Sequence, residues 1–117
     1  MAEEKIFDRE LKRGTLEMIL LKFLSERAMY GYELISALET RGGQQFQIKE
    51  GTLYPVLYRL EKAGFIDPRW ETLERGVPRK YYRLTEAGVE QLERLVRDWL
   101  DFTATVNQLL EMGKETR

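Results

Sequence analysis

Residues 49–85 read KEGTLYPVLYRLEKAGFIDPRWETLERGVPRKYYRLT, and this stretch decides the fold. Apolar residues recur at helical spacing over about 51–63, which predicts an amphipathic helix. Segments 65–72 and 80–84 favour short strands, and the turn formers between them predict a β-hairpin with its turn at 73–79. A helix that can enter a groove, followed by a hairpin (the wing) that can lie on phosphates, is typical of a protein that binds duplex DNA.

Upstream of this stretch the pattern predicts two more helices. Segments 14–26 and 31–41 carry apolar stripes, and paired glycines end the second helix at 42–43. Residues 3–12 are expected to form a short helix or an ordered arm, and 27–31 a turn. Three helices and a two-stranded wing predict a mainly α fold with a small β wing, a winged helix-turn-helix.

A long C-terminal helix is predicted over about 86–112, with Thr85 as its cap. Its apolar side chains recur in steps of three and four: Leu92, Leu95, Val96, Trp99, Phe102, Val106, Leu109 and Leu110. At ~1.5 Å per residue it spans about 39 Å, more than the small domain before it can cover. A twofold dimer would bury this stripe. We therefore expect residues 1–84 to form a DNA-binding domain with an N-terminal arm, and 85–117 a dimerisation helix and tail.

The amino-acid composition excludes several classes of functional site. The 117 residues fit one domain and contain neither cysteine nor histidine. Thiolate metal sites, most structural zinc sites and Ser-His or Cys-His catalysis are therefore excluded. No acidic pair is placed for acid–base chemistry and no glycine loop is placed to hold phosphates, so no cofactor, no metal and no enzyme activity are predicted. The lack of cysteine, of an apolar span and of a signal peptide favours a cytoplasmic protein.

The charge is nearly balanced overall but unevenly distributed. The formal net charge is −1. Residues 49–84 contain 8 Lys and Arg against 5 Asp and Glu, whereas residues 85–117 contain 4 against 7. A mildly basic centre and an acidic tail are expected if the tail points away from phosphates.

The candidate DNA-binding residues are small, hydroxylic or basic residues of the third helix, of the wing and of the segment before the first long helix. They are Lys12, Gly51, Thr52, Tyr54, Arg59, Arg79 and Lys80. Gly51 and Thr52 permit close approach of the helix, and the cations suit the phosphate backbone. The leucines of the third helix are predicted core, with Tyr58 as half-buried support. Trp70 is predicted to pack internally, and one of Tyr81 and Tyr82 to support the core.

Trp99 lies in the middle of the apolar stripe of the last helix. One interpretation is core of the dimer interface. The other is a ligand-binding platform, with Val96 and Thr103 beside it, on which a planar aromatic or cationic molecule would stack. The residues alone leave both open.

Four segments resemble the PadR family of bacterial transcriptional regulators. They are RGTLEMILL (13–21), YGYEL (30–34), EGTLYPVLYRLEKAGFI (50–66) and RKYYRLTEAG (79–88). The resemblance implies a winged helix-turn-helix domain, dimerisation through the C-terminal helix and repression of nearby genes. The single terminal helix looks like that of the short-form branch, whose multidrug-sensing members stack a drug on a tryptophan in the place of Trp99.

These observations predict a homodimeric repressor that binds a palindromic operator and is released by a small aromatic ligand. Two alternatives stay open: a winged-helix module that binds proteins, and a regulator without a small-molecule effector. The net charge of −1 is modest for a DNA-binding protein and motivates the first alternative.

Overall fold

The computed structural model describes residues 2–72 and 76–111, with side chains from residue 14 onward. Four helices and three strands make up these ranges. The helices are α1 (Ala2–Glu26), α2 (Gly31–Gly42), α3 (Glu50–Lys62) and α4 (Glu86–Leu109), with a 3₁₀ turn at Gly43–Phe46. The strands are β1 (Met29–Tyr30), β2 (Ile66–Glu71) and β3 (Arg79–Leu84), which form one antiparallel sheet in the order β1-β3-β2. The predicted mainly helical fold with a small β wing is confirmed.

The core lies where α1, α2 and α3 meet the sheet. Its largest fully buried side chains are leucines at helical spacing: Leu16, Leu20, Leu21, Leu34, Leu38, Leu53, Leu57 and Leu60. Removing one such side chain from water contributes roughly 1.5–3 kcal/mol, so the apolar stripes fix which face of each helix points inward. In α3 this burial leaves the opposite face open to solvent.

The wing consists of β2, β3 and their connection. Trp70 lies opposite Lys80 in the register, and Glu71 lies opposite Arg79. Tyr82 is the buried member of the tyrosine pair, at 4% exposure, which confirms that one of the two supports the core. Burial raises the pKa of its phenol, with a smaller opposing effect from the Lys80 cation. Tyr82 is therefore a neutral side chain at physiological pH.

Thr85 joins the wing to α4 as predicted. Its hydroxyl accepts a hydrogen bond from the Gly88 amide at 3.0 Å and donates one to the Gly64 carbonyl at 2.7 Å. A Cβ added at Gly88 would lie 2.1 Å from the Phe65 carbonyl oxygen, so glycine alone permits this approach. The start of α4 is thereby held against the end of α3.

Three boundaries differ from the predicted ones. The arm and the helix predicted at 3–12 and 14–26 are one helix, because Gly14 costs only about 1 kcal/mol relative to alanine and does not break α1. The turn predicted at 27–31 contains β1, whose two residues pair with Tyr81 and Tyr82 of β3. Helix α4 ends at Leu109 rather than near 112.

Among the residues that the structure describes, helix α4 is covered only in part. Leu92 and Leu95 pack against the core. Further along, Leu100, Phe102 and Leu109 are 59%, 64% and 76% exposed. Within the described residues, no helix combines the length and the apolarity needed to cross a membrane.

Candidate nucleic-acid interface

The N-terminal end of α3 projects from the core with its small residues exposed. Gly51 and Thr52 are exposed, whereas the next residue, Leu53, is fully buried. The carbonyl of the cap residue Lys49 accepts hydrogen bonds from the amides of Thr52 and Leu53, each at 3.0 Å. Lys49 makes no side-chain cap, unlike Thr85 at the start of α4. Because the first amides of a helix lack intrahelical acceptors and no cap residue side chain accepts from them here, this end of α3 suits an anion such as a phosphate.

Tyr54 lies on the flank of α3 that faces α2 and the wing. Its ring packs over Gly31, where an added Cβ would lie 2.0 Å from the hydroxyl oxygen and 2.6 Å from the ring carbon that bears it. The side chain remains 43% exposed. The absence of a side chain at Gly31 therefore sets the position of the Tyr54 phenol.

Arg59 lies on the opposite flank of α3 and turns toward α1. Its Nη2 is 3.2 Å and its Nε 3.4 Å from the same carboxylate oxygen of Glu17. Arg59 follows Thr52 by seven residues, almost two helical turns, so both lie on one side of the helix. The guanidinium is over half exposed and paired with an acid.

Arg79 and Lys80 are consecutive residues of β3, and each has a different partner. Arg79 donates a hydrogen bond to the Tyr30 hydroxyl and lies 4.5 Å from the centre of that ring. Tyr30 in turn meets Tyr81 edge-on, with ring centres 5.3 Å apart. This stack fixes the Arg79 guanidinium at the side of the wing.

The Lys80 ammonium lies on the face of the wing that looks toward α3. It is 3.5 Å from a carboxylate oxygen of Glu61 and 5.4 Å from the centre of the Tyr82 ring. Glu61 stands near the C-terminal end of α3, so this ion pair ties the wing to that helix. With side-chain exposures of 33% and 28%, the pair stabilises the contact by about 1 kcal/mol at most.

A groove of about 550 Å³ brings three of the predicted DNA-binding residues together, namely Tyr54, Arg79 and Lys80. Gly51 lines a neighbouring groove of about 630 Å³ between α2 and the start of α3. Arg59 lines neither. Lys12 falls in α1, and its side chain lies outside the described residues.

Two predictions about aromatic residues are wrong. Trp70 does not pack internally but is 65% exposed, because β2 extends past the core and burial falls along it. Tyr58 is 61% exposed rather than half-buried, with the Lys62 ammonium 5.6 Å from its ring centre. Tyr58 follows the exposed Gly51 by seven residues, and that helical spacing was a signal that could have placed it on the outer face.

Trp99 faces a small pocket between α1 and α4. The pocket has a volume of about 210 Å³, and acidic and apolar side chains line it, including Glu17, Asp98 and Phe102. Val96 and Thr103 lie one turn before and after Trp99 and do not line it. The Thr103 hydroxyl donates to the Trp99 carbonyl at 2.8 Å. Trp99 itself is 40% exposed.

Comparison with known proteins places this geometry in a family. The family model for PadR-like transcriptional regulators matches residues 20–94. The crystal structure of a PadR family transcriptional regulator from Eggerthella lenta superposes with a TM-score of 0.81 at 36% identity, over 100% of this chain and 99% of that one. A PadR-like transcriptional regulator from Bacillus cereus superposes with a TM-score of 0.75 at 38% identity, over 86% of this chain and 96% of that one.

A relative of named activity is similar over a shorter share of its length. The negative transcriptional regulator PadR of Bacillus subtilis is 31% identical over 85 residues, which are 73% of this chain and 44% of that protein. The family match and the structural matches agree with the helix-and-wing geometry of α3, β2 and β3. The chain belongs to the PadR-like family of transcriptional regulators, and it is a DNA-binding regulator rather than an enzyme.

Proposed function

We propose that the chain is a homodimeric repressor that binds a palindromic operator and is released by a planar aromatic or cationic ligand. One observation carries the DNA-binding part: Tyr54, Arg79 and Lys80 line one groove beside the exposed N-terminal end of α3. Repression is supported by the negative transcriptional regulator of Bacillus subtilis, to which the chain is similar.

The residues divide into two roles at the DNA. Gly51 and Thr52 enter the major groove with the N-terminal end of α3, because their small size lets the helix approach base edges. Tyr54 contacts a phosphate or a thymine methyl beside them. The cations hold the phosphate backbone on either side: Lys12 and Arg59 from α1 and α3, and Arg79 and Lys80 from the wing.

The dimer forms through α4 in this proposal. Residues 1–84 then act as the DNA-binding unit and residues 85–117 as the dimerisation unit. The exposed apolar side chains of α4, among them Leu100, Phe102 and Leu109, support this division because a second copy of the helix would cover them. A twofold axis places two α3 helices on one face of the duplex, so the operator is an inverted repeat.

Release of the operator by the ligand depends on Trp99, which Val96 and Thr103 flank on the same side of α4. The pocket beside Trp99 combines an aromatic platform with the carboxylates of Glu17 and Asp98, which favours a planar cation. Glu17 also pairs with Arg59 of α3. A cation that competes for Glu17 would free Arg59 for phosphate, so it can release DNA only by changing the separation of the two α3 helices. It weakens operator binding only if it prefers one arrangement of the dimer over the other.

The DNA-binding part is tested with a fluorescently labelled duplex of mixed sequence, titrated at several salt concentrations. We expect affinity to fall steeply with salt, and R79A/K80A to weaken binding to every sequence and to reduce the salt slope by about 2. The matched control is R83A, which removes an exposed arginine from the far end of β3, where it pairs with Asp67. An altered base preference in R79A/K80A would contradict the role given to the wing.

The second candidate function is a module that binds a protein through the same surface. The net charge of −1 favours it, as do the acids that already pair with Arg59 and Lys80. Salt-insensitive binding to the duplex, or no binding, would favour this candidate over the repressor.

A further inference from the structure

The groove between the wing and the helices α2 and α3, here called the wing groove, has exposed aromatic walls. Trp70 stands on the wing side and Tyr32 on the α2 side, and each is 65% exposed. Tyr54 of α3 also lines the groove, as do Arg79 and Lys80 of the wing. A cluster of large aromatic side chains that are this exposed is typical of a binding surface.

The charge of the wing groove restricts its occupant. Among the residues that the structure describes, two cationic side chains and no acidic one line it. The neighbouring groove at the start of α3 differs, because Glu39 and Glu50 line it with Lys49. An occupant of the wing groove must therefore present both negative charge and apolar surface, and it must share Lys80 with Glu61.

We propose that the wing groove holds one strand of duplex DNA by its deoxyribose-phosphate backbone, with Trp70 and Tyr32 as contact residues. This inference rests on the proposed function and assigns a role to two residues outside the predicted set. A deoxyribose offers apolar C–H surface to an aromatic ring, and its phosphates offer the charge that Arg79 and Lys80 require. The Trp70 indole N–H and the Tyr32 hydroxyl are hydrogen-bond donors, which suits them to phosphate oxygens.

The place of the groove favours a backbone strand over base edges. It lies between α3, whose N-terminal end enters the major groove, and the wing, which lies beside it. On the duplex, one backbone strand lies between the contact made by α3 and the contact made by the wing. This strand must pass through the groove between α3 and the wing. The contact therefore adds affinity without reading sequence, because every nucleotide carries the same sugar and phosphate.

Tryptophan emission tests the contact directly, because the chain has two tryptophans, Trp70 in the wing and Trp99 on α4. We expect the emission of the wild-type protein to change as the labelled duplex saturates it. W70F, which leaves Trp99 as the reporter, is expected to show little change while anisotropy still reports bound duplex. An equal emission change in W70F and in wild type would overturn the proposal while leaving DNA binding intact.

Duplex affinity and its salt dependence distinguish an aromatic contact from a cationic one. W70A is expected to weaken duplex binding about 5-fold at every salt concentration, since an aromatic contact is worth about 1 kcal/mol and releases no counterion. R79A is expected to reduce the salt slope by about 1.

Wild-type affinity in W70A would overturn the proposal. Conversion of W70A to a monomer would also overturn it, because the groove would then bind a second copy of the chain. If wild type binds no duplex, the proposed function fails and this inference with it.

Discussion

At the residue scale, Gly31 determines where the Tyr54 side chain can lie. It contributes no DNA contact in this account, yet the Tyr54 phenol occupies the space where its side chain would stand. Gly31 is itself buried at the start of α2, so its backbone cannot easily withdraw. The position of Tyr54, a proposed DNA-binding residue, therefore depends on the lack of a side chain at Gly31 in the neighbouring helix α2.

We expect G31A to lower the free energy of unfolding by about 1–3 kcal/mol, because the new Cβ must displace the Tyr54 ring or α2. Duplex affinity should fall as well, since Tyr54 is moved. G14A is the matched control: nothing lies within 4 Å of its added Cβ, so it should raise the free energy of unfolding by up to ~1 kcal/mol. Denaturant titration measures both, and equal midpoints for G31A and wild type would contradict the packing described for Tyr54.

Single residues also show where prediction from sequence succeeds. Leu53, Leu57 and Leu60 were predictable as core, because burial of one helix face imposes a period that the sequence must follow. Trp70 was not predictable as exposed, because its exposure depends on how far β2 extends past the core. The Arg79–Tyr30 stack joins residues 49 positions apart, and no local pattern reports it.

At the element scale, Glu17 connects two surfaces that sequence reasoning treated separately. Its carboxylate pairs with Arg59 of α3 and lines the pocket beside Trp99 of α4. Helix α1 thus lies between the proposed ligand site and the proposed DNA site. The sequence pattern could not predict that Glu17 contacts both surfaces, since this depends on the angles at which α1, α3 and α4 pack. The helices themselves were predictable from their stripes, and β1 was not, because only its pairing with β3 makes it a strand.

We expect E17Q to raise affinity for a duplex of mixed sequence about 2- to 5-fold at low salt, since Arg59 loses its carboxylate partner and turns to phosphate. The response to a planar cationic dye should weaken in the same variant. E26Q is the matched control: Glu26 lies on the same helix at nearly the same exposure and pairs with Arg41, away from α3. Anisotropy titration compares the two, and an equal effect of E17Q and E26Q would contradict a specific role for Glu17.

At the scale of the whole molecule, the arrangement of α4 accounts for the proposed symmetry. The first turns of the helix belong to the core through Gly88, Leu92 and Leu95, and its later turns leave apolar side chains exposed. Among the residues that the structure describes, one helix therefore attaches α3 and the wing to an exposed apolar surface. In the proposed dimer this attachment would fix the separation of the two α3 helices and hence the spacing of the half-sites on DNA.

The most direct test of this account is selection of bound duplexes from a random pool by the wild-type protein, followed by sequencing of the enriched sites. A dimer joined through α4 predicts inverted repeats whose half-site centres lie about 10 base pairs apart, or a multiple of that distance. Enriched sites without inverted symmetry, or an enriched pool indistinguishable from the starting one, would contradict it.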